Sequence, residues 1–170
     1  MADAIVVINA GSSSIKFAVF HAETGTGLRM ELEGQVDGIG TRPHFSVHAA
    51  DGAHQADRDL SGDRGGDHRG AMAEIRAWLD EHRGGEHVVA VGHRVVHGGP
   101  AYAAPVLIDA RVMAELERLV PLAPLHQPHH LAAIRAVAEA SPDLPQVACF
   151  DTAFHRTQPP VAQTLSLIHI

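Results

Sequence analysis

The chain has a single cysteine, no stripe or cluster of lysine and arginine, no apolar run as long as a membrane span, and no internal repeat. Cys149 alone cannot close an internal disulfide, which fits a reducing compartment. A net charge of −7 without a basic patch leaves out the electrostatic footprint of a nucleic-acid binder, so an anionic ligand must be held by local groups. Met1-Ala2-Asp3 leads straight into Ile5-Val6-Val7-Ile8 without the basic region of a secretory signal. The expectation is a cytoplasmic protein that has no nucleic acid and no membrane among its partners.

What is present fits a globular α/β chain. At 170 residues, 45% apolar and 19% charged, one domain with a real core is expected. Residues 5–10 are apolar and β-branched, Gly11 to Ser14 interrupt, and residues 15–20 alternate, which predicts a hairpin. Leu28–Val36 and Phe45–His48 read as further strands of the same meander, so part of the sheet should be antiparallel. Asp51–Gly70 is rich in Asp, Gly, His and Arg and reads as a solvated loop with bland histidines. Met72, Ile75, Trp78 and Leu79 have helical spacing, and Gly84-Gly85 supplies a stop. His87–Val91 reads as a buried strand running into Gly92-His93-Arg94-Val95-Val96-His97-Gly98-Gly99, where glycines mark backbone held close to something. Helices are predicted over Asp109–Leu119, capped by Asp109, and over Pro128–Ala140. The strand Val147–Phe150 ends at Asp151, where α/β sheets place their ligands.

The turn Asn9-Ala10-Gly11-Ser12-Ser13-Ser14-Ile15-Lys16 combines backbone N–H groups, hydroxyls and one ammonium. That set suits phosphate, although it lacks the second glycine of a Walker loop. Alternation puts Ser14 and Lys16 on one face and Ile15, Phe17 and Val19 on the other. Arg94 carries a planar fork that can hold a carboxylate or phosphoryl group bidentately. Taken singly, each residue has a plainer reading: Arg94 as a surface arginine beside an acid, Asp151 as a cap, Val96 and Leu125 as core. His126, His129 and His130 form a weak zinc pattern without a Cys or acid partner, and His129 and His130 read as helix-surface residues. Cys149, inside an apolar strand, reads as a packed and inert thiol.

Four stretches change the balance: residues 7–17, residues 92–99, Ala123-Pro124-Leu125-His126-Gln127-Pro128, and Phe150-Asp151-Thr152-Ala153-Phe154-His155. In this order they resemble signature segments of the acetate kinase family. The resemblance implies a ribonuclease-H-like α/β fold, shared with sugar kinases, heat-shock chaperones and actin, of which this chain is the first of two domains. It implies transfer of a phosphoryl group between ATP and acetate, with Mg²⁺ as cofactor, acetate or another short-chain carboxylate and ATP/ADP as partners, and a homodimer. By the same resemblance Asn9 and Asp151 hold the Mg²⁺ region, Ser12, Ser14 and Lys16 contact ATP phosphate, Arg94 binds the carboxylate or the transferring group, Val96 and Leu125 wall the acyl pocket, and His126 lies near the phosphoryl group. Asp151, Arg94 and His126 are the catalytic candidates. Acetate is ionised at neutral pH and needs no general base, so the metal role suits Asp151 better than proton abstraction.

Two alternatives stand beside this: a propionate or butyrate kinase, and a non-catalytic half that binds phosphate without transferring it. Family members are more than twice this length and complete the site from a second domain, so the 170 residues alone are expected to be inactive. Residues 1–164 read as the family's N-terminal domain. Leu165-Ser166-Leu167-Ile168-His169-Ile170 departs from the pattern and matches the translation of a transposon end used in preparing sequencing libraries, so residues 165–170 are expected to be a non-native tail.

Overall fold

Residues 3–23, 27–82 and 87–154 are described by a computed structural model. The expected stop at Gly84-Gly85 and the expected tail at 165–170 lie outside them. The predicted hairpin forms: β1 (Asp3–Ala10) and β2 (Ser14–Glu23) pair antiparallel from Ala4↔His21 to Ala10↔Ile15. β3 (Gly27–Asp37) and β4 (His44–Ala49) continue the antiparallel meander. β5 (His54–Asp59) closes that edge. On the other side of β1 the sheet becomes parallel, with β6 (His87–Val95) beside β1 and β8 (Gln146–Phe150) beside β6, and the short β7 (Val106–Leu107) returns antiparallel. The order is β5-β4-β3-β2-β1-β6-β8-β7.

β5 corrects the expectation of a loop over Asp51–Gly70. Its sequence, HQADRD, has no apolar alternation, because an edge strand can expose both faces and take its stability from the ladder and cross-strand charges. His44 on β4 bonds Asp59 at 2.8 Å and faces Asp57 at 2.9 Å. Arg58 lies 5.2 Å from the Phe45 ring centre and donates to Glu74 at 2.5 Å. The rest of the stretch is a 3₁₀ turn and the start of α1 (His68–His82), with Leu60 buried.

The helical spacing of α1 sets Met72, Ile75, Trp78 and Leu79 into the core. Phe45 is fully buried there, 6.3 Å from Phe17 and 6.1 Å from Trp78 between ring centres. α2 (Ala110–Arg118) begins where predicted, the Asp109 carboxylate accepting from the Val112 N–H at 2.7 Å. α3 (Gln127–Ala140) carries Pro128 in its first turn. These two helices build a second cluster of Val112, Leu116, Leu131 and Ile134 against Val95, Ala148 and Phe150. Cys149 is exposed, against expectation: β8 buries Gln146, Ala148 and Phe150, and strict alternation turns the thiol to the opposite side. Among the described residues, no helix is long and apolar enough to cross a membrane.

Candidate functional site

Three parallel strands end together, and each delivers one polar side chain there: Asn9 from β1, Arg94 from β6, and Asp151 from the start of α4 (Asp151–Phe154) just after β8. Arg94 joins them. Its Nε lies 2.9 and 3.0 Å from the two Asp151 oxygens, its Nη2 donates to Oδ2 at 2.8 Å, and its Nη1 donates to Asn9 Oδ1 at 3.2 Å. Hydrogen bonding to Asp151 raises the guanidinium pKa further, against a smaller effect of burial, so Arg94 stays a cation. The Arg94 side chain is 53% exposed. A ligand can therefore reach it, and solvent screening leaves the pair little weight in stability.

The Gly11–Ser14 turn faces this group. Asn9 is the register partner of Lys16, the only lysine of the chain, and Lys16 is exposed while Ile15 and Phe17 are buried, as the alternation predicted. The Gly11 N–H donates to the Ser14 carbonyl at 2.7 Å and closes the turn, with Ser12 exposed and Ser14 half-buried. Asn9, Ser12, Ser14, Lys16, Arg94 and Asp151 thus share one end of the sheet.

The residues expected at an acyl pocket are less gathered. Val96 is half-buried immediately after β6, and His126 is exposed at the start of α3. Leu125 is 74% exposed, so it does not wall a closed pocket with Val96 in this chain. A single loop leucine cannot enclose a methyl group; that takes several surfaces.

Four residues here were missed or misread from sequence. His130 is buried rather than on the helix surface, and its Nδ1 accepts from the Val96 N–H at 3.1 Å. Burial first, then the positive charge of Arg94, lowers its pKa to about 4, with Asp151 opposing. Gln127, fully buried, donates from Nε2 to the His97 carbonyl at 3.2 Å and to the Leu116 carbonyl at 3.3 Å. His129 is half-buried and stacks on His68 with ring centres 4.4 Å apart. Thr152 Oγ1 accepts from the Gly98 N–H at 3.1 Å, in a loop so close to β8 that a Cβ on Gly98 would lie 2.7 Å from the Phe150 ring. A signal was available for two of them: Gln127 and His130 share the helical face of Leu131 and Ile134, and polar residues on an apolar face need partners.

Asn9 Oδ1 and the Asp151 carboxylate are hard oxygen donors bonded to one guanidinium, the kind of donor that Mg²⁺ takes together with phosphate and water. No group of three or more His, Cys, Asp or Glu able to hold a metal occurs among the described residues. That donor set fits an ion that arrives with phosphate, since Mg²⁺ usually keeps several waters and takes one or two carboxylates.

Comparison with known proteins identifies the family. Residues 4–169 match the Acetokinase family. The chain is 55% identical over 161 residues to an acetate kinase of Nitrobacter hamburgensis, covering 94% of this chain and 39% of that protein. It is 54% identical over 154 residues to an acetate kinase of Rhizobium meliloti, covering 91% and 39%. Among solved structures, a propionate kinase from Francisella tularensis superposes with a TM-score of 0.80 at 36% identity, covering 94% of this chain and 39% of that one. The Porphyromonas gingivalis acetate kinase superposes at 0.79 and 31% identity, covering 92% and 39%. The chain therefore spans 39% of the length of these relatives.

Proposed function

The chain belongs to the acetokinase family, and on that premise we propose that the intact protein is an acetate kinase, reversibly moving the γ-phosphoryl group of ATP to acetate. The observation that carries the reading is the convergence of Asn9, Arg94 and Asp151 on one guanidinium beside the Gly11–Ser14 turn. Phosphoryl transfer asks the protein chiefly to place the acceptor in line and to neutralise charge on the transferring oxygens. Arg94 does both, its fork holding a carboxylate or phosphoryl oxygens in place of Asp151, with charge-assisted bonds contributing roughly 1.5–3 kcal/mol each. Asn9 and Asp151 would hold Mg²⁺, which supplies positive charge to the phosphate oxygens when bound. Ser12, Ser14 and Lys16 receive the nucleotide phosphates, and His126 donates toward the phosphoryl group. Val96 and Leu125 form part of an acyl pocket that further chain completes. A cytoplasmic homodimer belongs to the same reading and is checked by sedimentation.

The Francisella propionate kinase gives a second reading its support. One methylene is worth about 1–3 kcal/mol of discrimination, so propionate should be used within roughly 10–200-fold of acetate. The test is acyl phosphate formation by the intact protein from ATP, Mg²⁺ and acetate, propionate or butyrate. Turnover highest with acetate supports the assignment, and a reversed order moves it to propionate or butyrate. Phosphate or nucleotide binding without turnover favours a non-catalytic half.

A further inference from the structure

Two imidazoles hold main-chain atoms at opposite ends of the site. His68, the first residue of α1, places Nε2 2.6 Å from the Gly11 carbonyl, 57 residues away, and because a carbonyl only accepts, Nε2 carries the proton. His130, in the first turn of α3, receives the Val96 N–H on Nδ1 at 3.1 Å, so Nδ1 is bare. The two are linked through His129, which adjoins His130 and stacks on His68. Gln127, one turn before His130, grips the next carbonyl, that of His97.

We propose that His68 and His130 are positioning residues, His68 for the phosphate turn that receives ATP and His130 for the segment after Arg94 that faces the carboxylate. The assignment rests on the carboxylate kinase reading. Gly11 and Val96 flank the two polar arms of the site, Lys16 with its turn and Arg94 with its strand end. The turn is closed by the Gly11 N–H on the Ser14 carbonyl and tied by the Ile39 N–H to the Ser13 carbonyl, while the Gly11 carbonyl and the Val96 N–H are the groups that the two imidazoles hold. The Val96 bond requires a neutral His130, and a ring buried to 5% exposure beside Arg94 is kept neutral at physiological pH. A displacement of the order of 1 Å in such a segment can cost about 10²-fold in rate.

The two nitrogens used differ, and this supplies the test. An asparagine amide reaches about as far as Nδ1, a glutamine amide about as far as Nε2. In the intact protein, His130→Gln should raise the KM for acetate about tenfold or more while leaving that for ATP in place, and His130→Asn should recover most of the loss. His68→Asn should raise the KM for ATP by a similar factor, about tenfold, and leave acetate in place, with His68→Gln recovering. All four replacements are polar and suited to folding. If both KM values move together in every variant, or if the reach-matched replacement recovers nothing, the positioning roles fall while the kinase reading stands. If the wild-type protein forms no acyl phosphate, the kinase reading falls and takes the assignment with it.

Discussion

The antiparallel and parallel halves of this one sheet are assembled from different kinds of neighbour. In β2 to β5 each strand pairs with the next in sequence, and the core beneath is aromatic and aliphatic: Phe17, Val36, Phe45 and Val47 against Trp78. In β1, β6 and β8 the contacts that matter join residues 57 and 85 positions apart, and the interior there includes His93, Gln127, His130 and Gln146. His93 Nε2 meets Gln146 Oε1 at 2.8 Å across the two parallel strands. Both halves bury polar side chains, Ser46 and Glu74 on the meander side among them, but the four on the parallel side lie next to the site, and each makes a hydrogen bond that fixes a main-chain or side-chain position there. Stability should therefore be most sensitive in the first half and catalysis in the second.

The sharpest separation is expected at Arg94. Arg94→Ala in the intact protein should lower kcat/KM for acetate by about 10²–10³, the scale for removing a preorganised charged donor from a transition state. Arg94→Lys should recover little, since a point charge cannot reproduce the fork seen on Asp151. Steady-state acyl phosphate formation measures both, and unimpaired kinetics would remove Arg94 from the site. The complementary change is Phe45→Ala. Full burial between two aromatic rings predicts a loss of roughly 3–5 kcal/mol by urea unfolding of this chain. A loss below about 1 kcal/mol would mean that the meander is not where the chain keeps its stability.

How much of this was legible follows the same division. The hairpin, the Asp109 cap and α3 were readable because periodicity and capping are local signals. Asp151 was readable as a carboxylate at a strand end, and the exposed face of Lys16 from the alternation of β2. β5 was not, because an exposed edge leaves no buried face to pattern. Cys149 was misread because a short apolar run does not say which of its two faces is packed, and His130 was misread although its place on the face of Leu131 and Ile134 was a signal for burial. That Asn9, Arg94 and Asp151 belong together was legible only through resemblance, since no spacing rule connects strands so far apart in sequence, and an acid beside Arg94 was its plainer reading.

A pH experiment sharpens the contrast on the parallel side. Burial lowers the His93 pKa from 6.5 to about 4, with the Gln146 hydrogen bond opposing and His130 adding to the fall. A depressed value means the unfolded chain binds the proton more readily. The associated stability is fully present above pH 6.5 and is lost as the pH falls toward 4, amounting to on the order of 3 kcal/mol. His130 loses stability over the same window. Urea unfolding at pH 7 and pH 4.5 should show that fall, and His93→Gln should flatten it. An unchanged slope in His93→Gln would place the acid sensitivity elsewhere.

The meander should respond with the opposite sign and by the smallest amount. His44 offers Nδ1 to Asp59 at 2.8 Å and Nε2 to Asp57 at 2.9 Å, and only the imidazolium can donate from both nitrogens. The Asp59 hydrogen bond is the main cause that raises its pKa, against a smaller lowering by burial, with Asp57 adding to the rise. A raised value favours the protonated form in the folded chain. That contribution is complete below pH 6.5 and disappears as the pH climbs through the folded value. Asp59 is 94% exposed, so the size is that of a surface ion pair, no more than about 1 kcal/mol. His44→Gln should therefore destabilise the chain slightly at pH 6 and not at pH 9. An equal loss at both values would assign the contribution of His44 to strand pairing at the edge instead of to charge.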